Sequence, residues 1–250
     1  MKSKKPVIEL KDVWKIYQMG DVEVKALRGL NIIVNKGEFV SIMGPSGSGK
    51  STAVNMVGCL DVPTKGQVIL DGKDISTLYE SELAQIRGKK IGFIFQKFNL
   101  INTLTAIENV MLPMTFQNVD PNERYEKAIK LLKLVELGER INHRPNELSG
   151  GQQQRVAIAR SLSNDPEVII ADEPTGNLDS KTGNIVMEFL EKMNKEEGKT
   201  IILVTHDEEV ASVAHRTEHL KDGTIIKQIN NGKKRGKLKW NQLKKFMYIW

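Results

Sequence analysis

An α/β fold is predicted for this chain: a core built on a mainly parallel sheet, with an antiparallel β subdomain and an inserted α-helical subdomain. Three observations predict it. Four short runs are almost wholly apolar, Phe39–Met43, Ile91–Phe95, Val168–Ala171 and Thr200–Val204, and such runs read as strands buried on both faces of a sheet. Helical segments lie between them, and alternation of that kind builds parallel sheets. Ahead of the first run, apolar and polar positions alternate in short stretches, as in antiparallel strands with one wetted face.

The elements follow in order. Val7–Leu10, Val22–Val24 and Leu30–Val34 read as strands, and Asn35-Lys36-Gly37-Glu38 is a turn signal before the first buried run. Within Trp14–Tyr17, Tyr17 suits two jobs: stacking on a base, or covering core from an edge strand. Phe39–Met43 then runs into Gly44-Pro45-Ser46-Gly47-Ser48-Gly49-Lys50-Ser51, followed by Thr52. The match is to G-x-x-x-x-G-K-[ST], a loop whose backbone N–H groups wrap the phosphates of a nucleotide. Glycines 44, 47 and 49 let the backbone approach without a Cβ in the way. Lys50 reaches the outer two phosphates, and the Ser51 hydroxyl ligates Mg²⁺. A helix over Thr52–Leu60 adds its N-terminal dipole to the anion site. This defines a phosphate-loop NTPase core. Cys59, the single cysteine, is expected to pack inside that helix. Gln67–Leu70 with Asp71-Gly72 is a further strand and turn.

Ile91–Phe95 ends at Gln96. Helices are expected over Ala106–Met111 and over Asn122–Val135, where Tyr125, Ala128, Ile129, Leu132 and Val135 recur at helical spacing and Pro121 suits the start. Helices dominate from about 98 to 163 between two strands, which suggests an inserted lobe. Near its end, Ser149-Gly150-Gly151-Gln152 feeds a helix over Gln152–Ser163. That reads as a second N-terminal anion cradle, or as an ordinary helix cap. Val168–Ala171 delivers Asp172 and Glu173 to a strand's C-terminal end, where open α/β sheets bind ligands. Asp172 suits the shell of Mg²⁺, and Glu173 suits a base aimed at an attacking water. Thr200–Val204 brings His206 to the same level, whereas His143, His215 and His219 read as structural.

Bulk properties exclude several classes. Two hundred and fifty residues at 40% hydrophobic and 27% charged suit a globular protein with one large domain, or a domain with a lobe. No apolar run is long enough to span a membrane, the basic start lacks the apolar segment of a secretory signal, and one cysteine suits a reducing cytosol. The net charge is +6, yet the last twenty residues alone hold Lys233, Lys234, Arg235, Lys237, Lys239, Lys244 and Lys245 with no acid. Residues 1–230 therefore carry −1, and nucleic acid is not expected as a partner.

Taken together, these residues resemble the ATP-binding cassette (ABC) ATPases over about residues 7–228. The phosphate loop, Gln96, the pentapeptide Leu148–Gln152, the Val168–Glu173 strand end, the Asn177-Leu178-Asp179 turn and His206 occur in that family's order. The resemblance implies that two copies pair head to tail with two ATP molecules sandwiched between them. Ser149 and Gly151 of one copy would contact the γ-phosphate held by Lys50 of the other. It further implies that Gln96 senses metal and water and links the lobe to the core, that Asp179 couples the two sites, that His206 contacts the γ-phosphate, and that Tyr17 stacks on adenine. The expected site is Glu173, His206 and Gln96 for catalysis, with Ser51, Gln96 and Asp172 for Mg²⁺. Tyr17, the loop Gly44–Thr52, Ser149, Gly150, Gly151, Gln152 and Asp179 would hold nucleotide.

A closer similarity is to the lipoprotein-release and macrolide-export type of cassette, carried by Ser41–Ser46, Gly92–Gln96, Phe98–Ile101, Leu104–Ala106 and Glu108–Val110. It implies a cytoplasmic subunit held at the inner face of the cell membrane by an integral membrane permease, with Phe98, Asn99 and Leu100 helping to form the groove for the permease's helix. A domain over 1–230 is expected, and residues 231–250 depart from the pattern. There Trp240, Leu243, Met247 and Trp250 share one side of a candidate helix among lysines, which suits an anionic membrane surface, a partner, or a disordered end. Rival readings are an ATPase that passes force across a membrane without transport, as in cell division, and a soluble cassette acting on ribosomes or DNA. A phosphate-loop kinase is a third, in which Leu148–Gln152 has no job.

Overall fold

The computed structural model describes residues 5–232. The lysine-rich, aromatic segment lies almost wholly outside them. The chain opens with two long antiparallel strands, β1 (Pro6–Met19) and β2 (Val22–Asn35). The three short runs expected here are parts of this one hairpin. Register shifts at Leu10/Val13, Val13/Lys15 and Lys15/Ile16 interrupt the pairing, so the period-2 pattern breaks and the sequence reads as fragments. With β4 (Lys65–Leu70) and β5 (Lys73–Asp74) they form a four-stranded sheet in the order β2-β1-β4-β5. β1 is therefore interior along the stretch that pairs with β4. Its pairing with β4 stops at Trp14↔Lys65, so at Tyr17 only β2 lies alongside.

The second sheet runs β10-β9-β3-β8-β7-β6. It contains β3 (Phe39–Met43), β6 (Ile91–Phe95), β7 (Val168–Asp172), β8 (Thr200–Thr205), β9 (Arg216–Lys221) and β10 (Thr224–Asn230). All its pairs are parallel except β9–β10. The four apolar runs supply its centre. Val168, Ile169, Ile170 and Ala171 are fully buried, each larger side chain contributing about 1.5–3 kcal/mol by leaving water. The strand order follows: β3 and β8 run side by side, so the phosphate loop, Asp172 and His206 all leave the sheet at the same, C-terminal, edge.

Helix α1 (Lys50–Val57) follows β3, and α2 (Glu80–Lys90) precedes β6. Between β6 and β7 come α3 (Ala106–Phe116), α4 (Pro121–Leu134), two short 3-10 turns, and α5 (Gly150–Ser161). α6 (Ser180–Lys195) and the single-turn α7 (Glu208–Ala211) complete the α-helices among the described residues. Two apolar cores result. One lies between the antiparallel sheet, α1 and one face of the parallel sheet. The other joins the opposite face to α3, α4, α5 and α6. The helix boundaries differ from expectation in one consistent way. α1 begins at Lys50 and α5 at Gly150, two residues early, because Gly49 and Ser149 are themselves the caps. α1 also stops at Val57, leaving Cys59 beyond the helix at φ 53° and fully buried.

Candidate nucleotide site

The phosphate loop is braced from below by the turn between β9 and β10. Gly223 donates its N–H to the Ser48 carbonyl at 2.9 Å, and its own carbonyl accepts from Arg28 N–H at 3.0 Å. A Cβ at Gly44 would fall 2.2 Å from the Leu220 carbonyl oxygen, so only glycine lets the loop sit this close. Gly49, at φ 100°, turns the chain into α1. The Lys50 ammonium folds back to donate to the carbonyls of Gly44 (2.7 Å) and Pro45 (2.9 Å). Ser48 is buried, with its hydroxyl unpartnered. Pro45, Ser46 and Gly47 are exposed, as is Ser51, while Thr52 is half-buried.

Asp172 closes β7 and Glu173 follows it. The Asp172 carboxyl is pushed above the usual range, first by burial and then by the negative charge of Glu173, with Lys50 pulling the other way. Those three groups therefore share one field. Glu173 sits at φ 47°, a left-handed conformation costing about 1–3 kcal/mol for a residue with a side chain. Its N–H donates to the Val204 carbonyl at 2.8 Å. Its carboxylate accepts at Oε1 from His206 Nδ1 (2.8 Å) and at Oε2 from the Thr205 hydroxyl at a long 3.4 Å. A carboxylate only accepts, so Nδ1 carries the proton in this contact. The histidine is exposed and the glutamate is not, at 69% and 16% of their side chains.

Gln96 is exposed at the end of β6. Asn177 donates to its backbone carbonyl at 2.9 Å, and a Cβ at Gly176 would lie 2.7 Å from its amide nitrogen. Gln96 thus packs on the loop that follows Glu173. Ser149 caps α5: its hydroxyl accepts from Gln152 N–H (3.3 Å), and Gln152 Oε1 accepts from Ser149 N–H (2.9 Å). The ordinary cap reading is met, and the first-turn N–H groups remain of the kind a helix leaves free for an anion. Asp179 caps α6 in the same way, accepting from Lys181 N–H, Thr182 N–H and the Thr182 hydroxyl, which holds its carboxyl below the ordinary range. A Cβ at Gly151 would meet the Thr182 methyl at 2.5 Å. The capped ends of α5 and α6 therefore touch.

The expected residues fall into two groups. Lys50, Asp172, Glu173 and His206 gather at the edge of the parallel sheet, with the Gln96 loop alongside. Ser149, Gly150, Gly151, Gln152 and Asp179 gather at the two helix ends, and among the described residues no hydrogen bond joins them to Gly44–Thr52. Tyr17 is half-buried, its hydroxyl donating to Asp61 (3.3 Å) and the Lys15 ammonium lying 5.2 Å from its ring centre. Ser51, Gln96 and Asp172 offer hydroxyl, amide and carboxylate oxygens, the hard donors Mg²⁺ takes, and the raised Asp172 carboxyl fits a position completed by a cation. Of the other histidines, His215 accepts the Phe39 N–H at 2.9 Å, a structural job. Thr182, Thr205 and Gln154 escaped the sequence reading. Thr205 adjoins His206 and Thr182 follows the Asp179 cap by three, so both carried a readable signal.

A parallel sheet with a phosphate loop, an acid pair and a histidine at one edge defines an α/β nucleoside-triphosphatase. The chain belongs to the ABC transporter family, whose profile matches residues 27–176, and it is an ABC-type ATPase cassette. An ABC transporter ATP-binding protein of Thermotoga maritima is 55% identical over 88% of this chain and 94% of its own length. The macrolide export ATP-binding/permease protein MacB of Hyphomonas neptunium is 50% identical over 90% of this chain but only 35% of its own length. A dimeric, post-hydrolysis structure of the cassette MJ0796 (Methanocaldococcus jannaschii) bound to ADP and Pi superposes with a TM-score of 0.84, at 51% identity, covering 90% of this chain and 98% of that one.

Proposed function

We propose that this chain powers a membrane transport complex: two copies close on two ATP molecules, and hydrolysis drives a separate permease that exports or extracts a substrate. The observation that carries the reading is the pairing of Glu173 with His206 beside Asp172 and Lys50, while Ser149 lies exposed at the start of α5 with, among the described residues, no hydrogen bond to the phosphate loop. A pocket whose anion-binding helix end is turned outward is completed by a second copy. The dimeric MJ0796 neighbour supports this. The permease is supported by the MacB relatives, which are ATP-binding/permease proteins. Among the described residues, no helix is long and apolar enough to cross a membrane.

The chemistry assigned to each residue follows from its contacts. Lys50 exchanges its two loop carbonyls for the outer phosphates, and the N–H groups of the loop and of α1 hold the remainder. Glu173 takes the proton of the attacking water at Oε2, since Oε1 is held by His206 and Oε2 has only the long Thr205 contact. Held through Nδ1, the His206 ring presents Nε2 to the γ-phosphate. Ser51, Gln96 and Asp172 would hold Mg²⁺, which neutralises phosphate charge when bound. Tyr17 is assigned to the adenine. Ser149, Gly150, Gly151 and Gln152 reach the partner's nucleotide, and Asp179 links the two sites. ATP bound only in the closed pair stabilises it, and hydrolysis removes that stabilisation.

A groove of about 570 Å³ between β6, α2, α3 and α5, lined by Leu60, Phe93, Asn99, Phe116 and Arg160 among others, suits the permease helix. Of the three residues expected there, Asn99 lines it, whereas Leu100 packs into the helical core. A subunit docked through this groove would sit at the cytoplasmic face of the membrane. Residues 231–250 are assigned a contact with anionic lipid on their lysines and tryptophans alone.

Glu173→Gln tests the reading. Turnover should fall about 10³-fold with ATP binding retained, and gel filtration should show a dimer in ATP that is absent without it. Turnover near the unmutated rate removes the assigned base.

A further inference from the structure

α5 carries a buried glutamine that the site described above does not use. Gln154 is wholly buried, on the helix face it shares with Ala157, Ile158 and Ser161. Its amide nitrogen donates to the Pro174 carbonyl at 2.7 Å, while its Oε1 has no partner. A half-satisfied amide in an apolar core is a poor way to gain stability, and an apolar side chain of the same length would pack there without the orphan oxygen.

What the bond holds is the residue after Glu173. A residue that precedes proline is pushed toward extended conformations, yet Glu173 stands in the left-handed region at φ 47°. Its own carbonyl accepts the Gly176 N–H (3.1 Å) within the turn, and two further hydrogen bonds tie the segment outward. Its own N–H is tied to Val204 in β8 (2.8 Å), and the next carbonyl is tied to Gln154 in α5. The first anchors the segment to the sheet, the second to the helix that begins at Ser149. Without the second, the turn keeps its internal Gly176 bond but loses its tie to α5, and the Glu173–Pro174 unit shifts toward the extended region it prefers, which carries the carboxylate away from His206.

We propose that Gln154 is a positioning residue: its amide holds the Glu173–Pro174 turn so that the Glu173 carboxylate stays on His206, and it ties the Ser149 helix to the catalytic loop. This rests on the reading of Glu173 as the base. Gln154→Met keeps length and packing and removes the donor; it exchanges the orphan Oε1 for an unpartnered Pro174 carbonyl, one acceptor for another. Steady-state ATP hydrolysis by the full chain should show kcat about tenfold lower, the equivalent of one lost hydrogen bond, with KM for ATP and the thermal midpoint unchanged. In a Glu173→Gln background the same substitution should change the single-turnover rate no further, because the residue it acts through is gone. A midpoint that falls with kcat held, or an equal loss of rate in both backgrounds, overturns the proposal. Gln154→Leu, lacking the same donor, gives the same reading if the methionine variant does not fold. Should Glu173→Gln itself turn over normally, the assigned base fails instead, a result distinct from an inert Gln154→Met.

Discussion

Cys59 shows how one residue's position sets its chemistry. The helix after the phosphate loop ends at Val57, Gly58 caps it, and the chain turns left-handed at Cys59 into the core. Sequence pattern alone placed this thiol inside the helix, since the apolar spacing continues to Leu60 and glycine at 58 is an ambiguous stop. Burial pushes its pKa up from 9.0 to about 12, with Arg87 opposing weakly. The folded protein therefore keeps a proton that the unfolded chain releases near its ordinary value. Stability from this group is complete below that value and is lost as pH rises toward the folded pKa. The thiol should resist alkylation at pH 8 until denaturant is added, and the denaturation midpoint should fall between pH 8 and pH 10. Rapid stoichiometric labelling of the native protein would contradict the burial.

At the scale of elements, the segment that carries Gln96 toward the helical region depends on one buried side chain. Asn109 in α3 accepts the Ile101 N–H at 2.8 Å and donates to the carbonyls of Ile101, Leu104 and Thr105. It closes the loop ahead of its own helix. Asn109→Ala strands the Ile101 N–H and the Leu104 carbonyl, while the Ile101 and Thr105 carbonyls keep the N–H groups of Leu104 and residue 109, costing roughly 3 kcal/mol. The thermal midpoint followed by circular dichroism should then drop by about 6–12 °C; a shift under two degrees would mean water replaces the side chain without loss. The same region shows which elements were legible. α4 was read almost to its ends because Asp120, Pro121 and a clean apolar face all agree. α3 runs past the expected end at Met111 to Phe116, carrying Pro113 within it, where proline ordinarily signals a stop. α2 escaped notice since it buries only Leu83 and so has no apolar stripe to read. α6 carries both a cap in Asp179 and an apolar face in Val186, Met187, Leu190 and Met193, a helix legible from sequence pattern alone.

At the scale of the whole molecule, the motifs were legible one by one because each is a local arrangement of glycine, charge and strand end. Their mutual contacts were not. Gly151 against Thr182, Gly176 against Gln96 and Gln154 on Pro174 join segments far apart in sequence, and only packing decides them. The division into two groups matters most, since Lys50 and Ser149 belong to different ones and the proposed pocket takes one from each copy. That arrangement makes a mixing experiment decisive. Lys50→Ala leaves a chain with an intact Ser149 end but no grip on phosphate, and Ser149→Ala leaves the reverse. A homodimer of either has two defective pockets. In a two-fold heterodimer one pocket inherits both defects, and the other takes Lys50 from one chain and Ser149 from its partner, so it is whole. Equal mixing makes about half the dimers hybrid, each with one of two pockets working, so about a quarter of the unmutated rate should return if the pockets act independently. If each chain used its own Ser149, mixing would add nothing to the two separate rates. Titrating one inactive variant into the other, with ATP hydrolysis as the readout, separates the outcomes: a maximum near equal amounts for a shared pocket, a flat line for a private one.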